Sequence, residues 1–158
     1  MISGNIKQTK KIAGILARKI LKIKNSKKAV VIGLSGELGS GKTTFTQEFA
    51  KALGVKEKIH SPTFVIFRKH EIRKSKFETI SKSKFQNFKI LYHFDVYRIK
   101  NSKEIIDLGW RKIISDPKNI ILVEWPEKIK NIYPKKYFWI NIAHLAPRKR
   151  AIDIRFVK

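Results

Sequence analysis

The chain has 158 residues, 42% of them hydrophobic, enough for one domain with a sizeable core and too few for two. It contains no cysteine, which excludes a disulfide scaffold, thiolate zinc sites and cysteine nucleophiles. No apolar run approaches the length of a membrane span, and Met1-Ile-Ser-Gly-Asn5 lacks the marks of a signal peptide, so the expectation is a soluble cytoplasmic protein without a membrane partner. The formal net charge of +24 rests on 28 Lys against 8 Arg. Such a field attracts polyanions. Lysine, however, is a hydrated point charge that an AT-rich coding bias inflates, so nucleic-acid contact and a merely solvated surface both stay open.

In chain order, Ile6, Ile12, Ile15, Leu16, Ile20 and Ile23 recur at near-helical spacing and predict an amphipathic helix over about 5–23. Ala29 to Ser35 is a short β-branched run typical of a strand buried on both faces. A helix over about 42–53 closes at Gly54. Strands are expected over 63–68 and 90–97, joined across a Lys- and Ser-rich surface insertion at 70–89. One helix over 102–114, with Ser102 as N-cap, precedes a buried strand at 120–125 and a short helix opened by Pro126. Two final strands, 138–142 and 151–156, are expected to pair. With Gly36-x-x-x-x-Gly41-Lys42-Thr43 set between the buried strand and the helix over 42–53, the fold class is α/β: a single P-loop NTPase-like domain over 1–158, with a mixed, largely parallel central sheet flanked by helices.

The most informative stretch is Gly36-Glu37-Leu38-Gly39-Ser40-Gly41-Lys42-Thr43, followed by Thr44. It matches G-x-x-x-x-G-K-[ST] at every fixed position and lies between a buried strand and a helix. Three glycines let the backbone point several N–H groups into one concavity, and the helix start adds its free N–H groups and positive dipole end. Lys42 can reach β- and γ-phosphates, and the Thr43 hydroxyl can ligate Mg²⁺. ATP and Mg²⁺ are the expected cofactors, with residues 37–44 around the nucleotide.

Three further stretches bear on the chemistry. Ser61-Pro62-Thr63 is either a simple turn or a switch segment. Period-2 alternation puts His93, Asp95 and Tyr97 on one strand face, with Arg98 pointing the other way; His93 is either a core histidine or a site residue. Glu124 ends a buried strand, either as an exposed strand end or where a carboxylate would hold or position a metal.

Taken together, Leu38-Gly39-Ser40-Gly41-Lys42-Thr43-Thr44, Ser61-Pro62-Thr63-Phe64, His93-Phe-Asp95-Val-Tyr97-Arg98, Leu108-Gly109 and Glu124-Trp125-Pro126-Glu127 resemble the TsaE (formerly YjeE) family of bacterial tRNA threonylcarbamoyladenosine biosynthesis ATPases. Thr9, followed by Ile12 and Ala17, is similar to the family's opening helix. The resemblance implies a Mg²⁺-dependent ATPase, and because no residue reads as an arginine finger in cis, hydrolysis by the isolated chain is expected to be slow. The resemblance also implies action on the TsaB–TsaD pair that modifies adenosine in ANN-decoding tRNAs, with tRNA met indirectly or through non-specific electrostatics. By that likeness Lys42, Asp95 and Glu124 are catalytic, Thr43 and Glu124 hold the metal, and Thr9, Trp125 and Arg148 join the loop around the nucleotide. The chain departs from the family pattern at Lys112, where an acid is usual, at Pro147-Arg148, where Gly-Arg is usual, and in the length of the basic insertion.

The runner-up is a small-molecule P-loop kinase, for which Arg148, Arg150 and Arg155 could form a phosphate clamp. A GTPase lacks support because no Asn-Lys-x-Asp segment appears. A silent RNA-binding module would not need Thr43, Asp95 and Glu124 together.

Overall fold

In the computed structural model, which describes residues 2–62, 64–73, 88–147 and 149–158, the first helix α1 (Ile6–Leu21) starts where the sequence periodicity starts. Asn5 caps it, its side-chain oxygen accepting the Gln8 N–H at 3.0 Å. The buried stripe is Thr9, Ala13, Leu16, Ala17 and Ile20, with the lysines left outside. A two-residue strand β1 (Ile2–Ser3) precedes it. The strand β2 (Val30–Ser35) and the helix α2 (Lys42–Leu53) flank the glycine loop, and Gly54 closes α2 in the left-handed region.

Then follow β3 (Phe67–Glu71), β4 (Ile90–Asp95), two short helices α3 (Lys103–Asp107) and α4 (Trp110–Ser115), β5 (Asn119–Glu124), a 3₁₀ helix (Pro126–Ile132), β6 (Tyr137–Ala146) and β7 (Lys149–Val157). The strands form one sheet in the order β1-β7-β6-β2-β5-β4-β3. The four central strands β6, β2, β5 and β4 run parallel, and β3, β7 and β1 add antiparallel edges. Alternation along β5 decides the layers. Ile120 and Leu122 pack with α1 and α2, while Ile121 and Val123 pack with Ile105, Trp110 and Ile113 of α3 and α4. The sheet is therefore the expected mixed, largely parallel one with helices on both faces.

Several element boundaries differ from the sequence expectation. The helix expected at 102–114 is broken at Gly109, whose φ of +91° no continuing helix can hold. Ser102 occupies the N-cap position without a side-chain cap; Glu104 instead accepts the Lys100 and Asn101 N–H groups. The strand expected from residue 63 begins only at Phe67, after a turn in which Ile66 adopts a φ of +65°. The strand expected to reach Tyr97 stops at Asp95, because the Asp95 carboxylate folds the next turn by accepting the Tyr97 N–H at 3.0 Å. The insertion is also narrower than 70–89. His70 and Glu71 belong to β3, Ile72 donates to the Lys89 carbonyl at 2.9 Å, and Phe88 is buried in the core. Residues 74–87 lie outside the described residues.

Nothing lies within 4 Å of a Cβ built on Gly109, so its substitution tests backbone strain alone. Gly109→Ala should destabilise the chain by about 1 kcal/mol, read as a fall of a few degrees in Tm by circular dichroism.

Candidate functional site

The loop joining β2 to α2 bends through three left-handed glycines, Gly36 at φ +148°, Gly39 at +74° and Gly41 at +104°. Gly36 is also required by packing, since a Cβ there would stand 2.4 Å from the Ile142 carbonyl oxygen of β6. Ser40 is buried, and its carbonyl accepts the Arg150 Nε–H at 2.9 Å, so β7 braces the loop from outside.

Lys42, the first residue of α2, is 6% exposed and turns back into the loop. Its Nζ donates to the Gly36 carbonyl at 2.7 Å and the Glu37 carbonyl at 2.9 Å, and lies 4.2 Å from the centre of the Trp125 ring. Burial pushes this ammonium below its ordinary value of 10.5, against the opposing pull of Glu124, Asp95 and Glu127.

The two carboxylates arrive by strand register. Asp95 pairs with Glu124 across β4 and β5, and Leu34 pairs with Glu124 across β2 and β5, so three parallel strands end at one level. Asp95 accepts the Ser61 hydroxyl at 2.6 Å in addition to the Tyr97 N–H. Glu124 is 3% exposed, and its Oε1 lies 2.9 Å from His93 Nε2 and 3.5 Å from Thr46 Oγ1. His93 is thus a buried partner of the site carboxylate, and Glu124 is not an exposed strand end.

Two clefts meet at the loop. One of about 510 Å³ is lined by Leu38, Gly39, Gly41, Lys42, Thr43, Thr44, Ser61, Asp95, Tyr97, Arg98, Glu124 and Trp125. The other, about 490 Å³, is lined by Asn5, Lys7, Thr9, Ser40, Thr44 and Arg150 among others. Gly39, Gly41 and Thr44 border both, so an extended polyanion can cross the loop from one to the other.

The family model for the threonylcarbamoyl adenosine biosynthesis protein TsaE matches residues 4–152. A Rickettsia felis protein named tRNA threonylcarbamoyladenosine biosynthesis protein TsaE is 34% identical over 155 residues, spanning 98% of this chain and 78% of that protein. Its namesake from Bacillus subtilis is 32% identical over 153 residues, spanning 97% and 82%. A crystal structure of Bacillus subtilis YdiB superposes with a TM-score of 0.64 at 27% identity, covering 99% of this chain and 83% of that one. The chain belongs to the TsaE family of tRNA threonylcarbamoyladenosine biosynthesis proteins.

On this TsaE-family chain, the sequence-derived site residues fall in three places. Leu38, Gly39, Gly41, Lys42, Thr43, Thr44, Asp95, Glu124 and Trp125 share the first cleft, and Thr9 and Ser40 line the second. Glu37 borders a third recess with Glu127, Asn141 and His144. Arg148 and Thr63 lie outside the described residues.

Two expectations are corrected. Tyr97 leaves the strand and packs against Trp125 with the rings tilted by 49° and 4.9 Å between ring centres. Arg98 does not point away from Asp95; it lines the same cleft, with its guanidinium 4.7 Å above the Phe64 ring. Of the three arginines of the alternative clamp, Arg150 donates to the loop at Ser40, Arg155 pairs with Asp153 at 2.5 Å, and Arg148 lies outside the described residues.

Residues missed by sequence reasoning are Arg150 as loop brace, Thr46 beside Glu124, and Asn5 and Lys7 in the second cleft. Thr46 left a signal, being a polar residue on the buried face of α2 with Phe45 and Phe49. Arg150 left none, since its role depends on where β7 returns.

A bound polyphosphate favours the charged form of Lys42, so above the lowered value binding draws in a proton and affinity falls as pH rises toward 10.5. Calorimetric titration of inorganic triphosphate over a pH series up to 10.5, each point in two buffers of different ionisation enthalpy, should show more proton uptake by the native chain than by Lys42→Arg, whose guanidinium stays charged.

Proposed function

We propose that this chain binds ATP with Mg²⁺ across the loop at 36–44 and hydrolyses it in support of the TsaB–TsaD pair during threonylcarbamoyl modification of ANN-decoding tRNA. The observation that carries the reading is the convergence of Lys42, Thr43, Asp95 and Glu124 on one cleft at the ends of parallel strands. The nucleoside end takes the neighbouring cleft beside Thr9 and Arg150.

The donor set suits Mg²⁺, which takes one or two carboxylates plus phosphate oxygens and water. Among the described residues no group of three or more His, Asp or Glu could cage a metal alone, so phosphate oxygens and water would supply the remaining ligands. Thr43 and Glu124 would hold the ion, which neutralises charge developing on the transferred phosphoryl group. Lys42 leaves its two loop carbonyls for the β- and γ-phosphates. His93 fixes the rotamer of Glu124, and Ser61 fixes that of Asp95, leaving Asp95 to order the attacking water.

Leu38 and Phe64, 88% and 84% exposed, stand at the cleft mouth as apolar anchors for a protein partner. Resting on Phe64, Arg98 is held off the loop until that partner docks. Slow turnover in isolation follows, because a correctly placed arginine is worth on the order of 10³–10⁵ in rate. A role in tRNA modification supports a cytoplasmic location for the chain. In the structure, no helix among the described residues is long and apolar enough to cross a membrane.

Lys42→Ala should abolish nucleotide binding and in-vivo support of the modification while leaving the circular dichroism spectrum unchanged. Glu124→Ala should keep nucleotide binding and stall hydrolysis; complementation of a deletion strain by both variants would remove the site assignment. Arg98→Ala should leave ATP affinity within about twofold and lower partner-stimulated hydrolysis by on the order of 10³. Single-turnover assays with and without TsaB and TsaD homologues measure both quantities.

A further inference from the structure

Residues 1–36 contain nine Lys and Arg and no acid; all twelve Asp and Glu of the chain lie beyond them. Most of those cations sit on α1. Lys7, Lys10, Lys11, Arg18, Lys19 and Lys22 are all exposed, on one side or at the end of a helix whose other side is buried against the sheet. Among the described residues none of the six takes part in an ion pair. Arg18 and Lys19 in the last turn extend the same face and also complement the helix dipole. Lys7 in the first turn, with Lys10 and Lys11 directly behind it, does not: these stand toward the positive end, where cations weaken a helix and no acid offsets them.

We propose that the exposed face of α1 is a binding surface for an RNA sugar–phosphate backbone. From Lys7 to Lys22 the face runs about 22 Å at 1.5 Å per residue, long enough to follow several phosphates. It suits phosphates better than an acidic protein, because from residue 7 to 22 its only exposed apolar side chain is Ile15 and it has no aromatic. Protein interfaces are anchored by buried aromatic and aliphatic groups. An anionic membrane is disfavoured as well. The apolar side of α1 that would enter lipid, Ala13, Leu16, Ala17 and Ile20, is already inside the core. With no forked or stacking groups beyond Arg18, the face selects charge spacing and not sequence. Lys7 also lines the cleft beside Thr9, which sets the RNA face next to the nucleotide loop.

The test compares two variants of the full chain with equal net charge. One carries Lys10→Gln, Lys11→Gln, Arg18→Gln and Lys19→Gln, sparing Lys7. The other carries Lys103→Gln, Arg111→Gln, Lys135→Gln and Lys136→Gln on the opposite layer. Binding of a labelled tRNA transcript and an unrelated RNA of the same length is followed by anisotropy between 50 and 200 mM salt, with triphosphate binding as the check of fold.

The α1 variant should lose at least about tenfold in affinity for both RNAs, and its log–log salt slope should flatten by about three. The control variant should change either value little. Equal losses in the two variants, or no RNA binding by the native chain at 50 mM salt, would overturn the assignment. A loss for poly-glutamate as large as that for RNA would hand the face to an acidic protein. If the quadruple variant fails to fold, the pairs Lys10→Gln/Lys11→Gln and Arg18→Gln/Lys19→Gln should each give about half the slope change.

Discussion

The common level at which β2, β5 and β4 end controls everything around the loop. Leu34, Glu124 and Asp95 stand side by side in the parallel ladder, and α2 begins one glycine loop later. Side-chain parity then points His93 and Glu124 toward α2, where Thr46 meets them. A slip of one residue in β5 would send Glu124 to the opposite layer and bring the apolar Val123 to the loop. Such a slip is opposed by the whole strand, since Ile120 and Leu122 fit one core and Ile121 and Val123 the other. The hydrophobic layers therefore position the charges, although none of those four strand residues lines the cleft.

Those charges are expensive to bury and are arranged to share the burden. Lys42, Asp95 and Glu124 are each 6% exposed or less. An ion of that kind taken from water is tolerable only with partners and hydrogen bonds. Lys42 has two carbonyls, Asp95 a hydroxyl and an N–H, and Glu124 an imidazole and a threonine. The lysine's partners are its own loop carbonyls, which a phosphate can replace with a better counter-charge. A second reservoir is Trp125, at φ +61° and ψ +46°, a conformation that costs a non-glycine residue on the order of 1 kcal/mol. Its placement immediately before Pro126 makes it more unusual, since a following proline favours extended backbone. That turn holds the indole against Lys42 and Tyr97.

Charge is distributed over the surface as unevenly as inside it. The acid-free opening stretch, residues 1–36, projects most of its cations from α1, and the acids that matter are gathered at strand ends. Composition alone makes the net charge of +24 look like uniform padding. On α1 part of it is a stripe, because the same periodicity that buries Leu16 and Ile20 forces the lysines to the other side.

Much was legible in the residues. The α1 periodicity, the buried runs of β2 and β5, the limits of α2 and the phosphate loop are local patterns, set by short-range sterics and burial. The break at Gly109, the early end of β4 at Asp95 and the late start of β3 were missed, because a single side chain or one left-handed residue outvoted the pattern around it. Arg98 went astray for the same reason: alternation was extended past a strand that had already turned. The sequence by itself determined which groups could serve a phosphate and a metal, since their chemistry resides in Lys42, Thr43, Asp95 and Glu124 whatever their surroundings. Only the tertiary structure decided that His93 and Thr46 hold Glu124, that Ser61 holds Asp95 and that Arg150 braces the loop. Those contacts join residues 31, 78, 34 and 110 positions apart, and their distances are fixed by strand register and layer packing, which no local stretch contains.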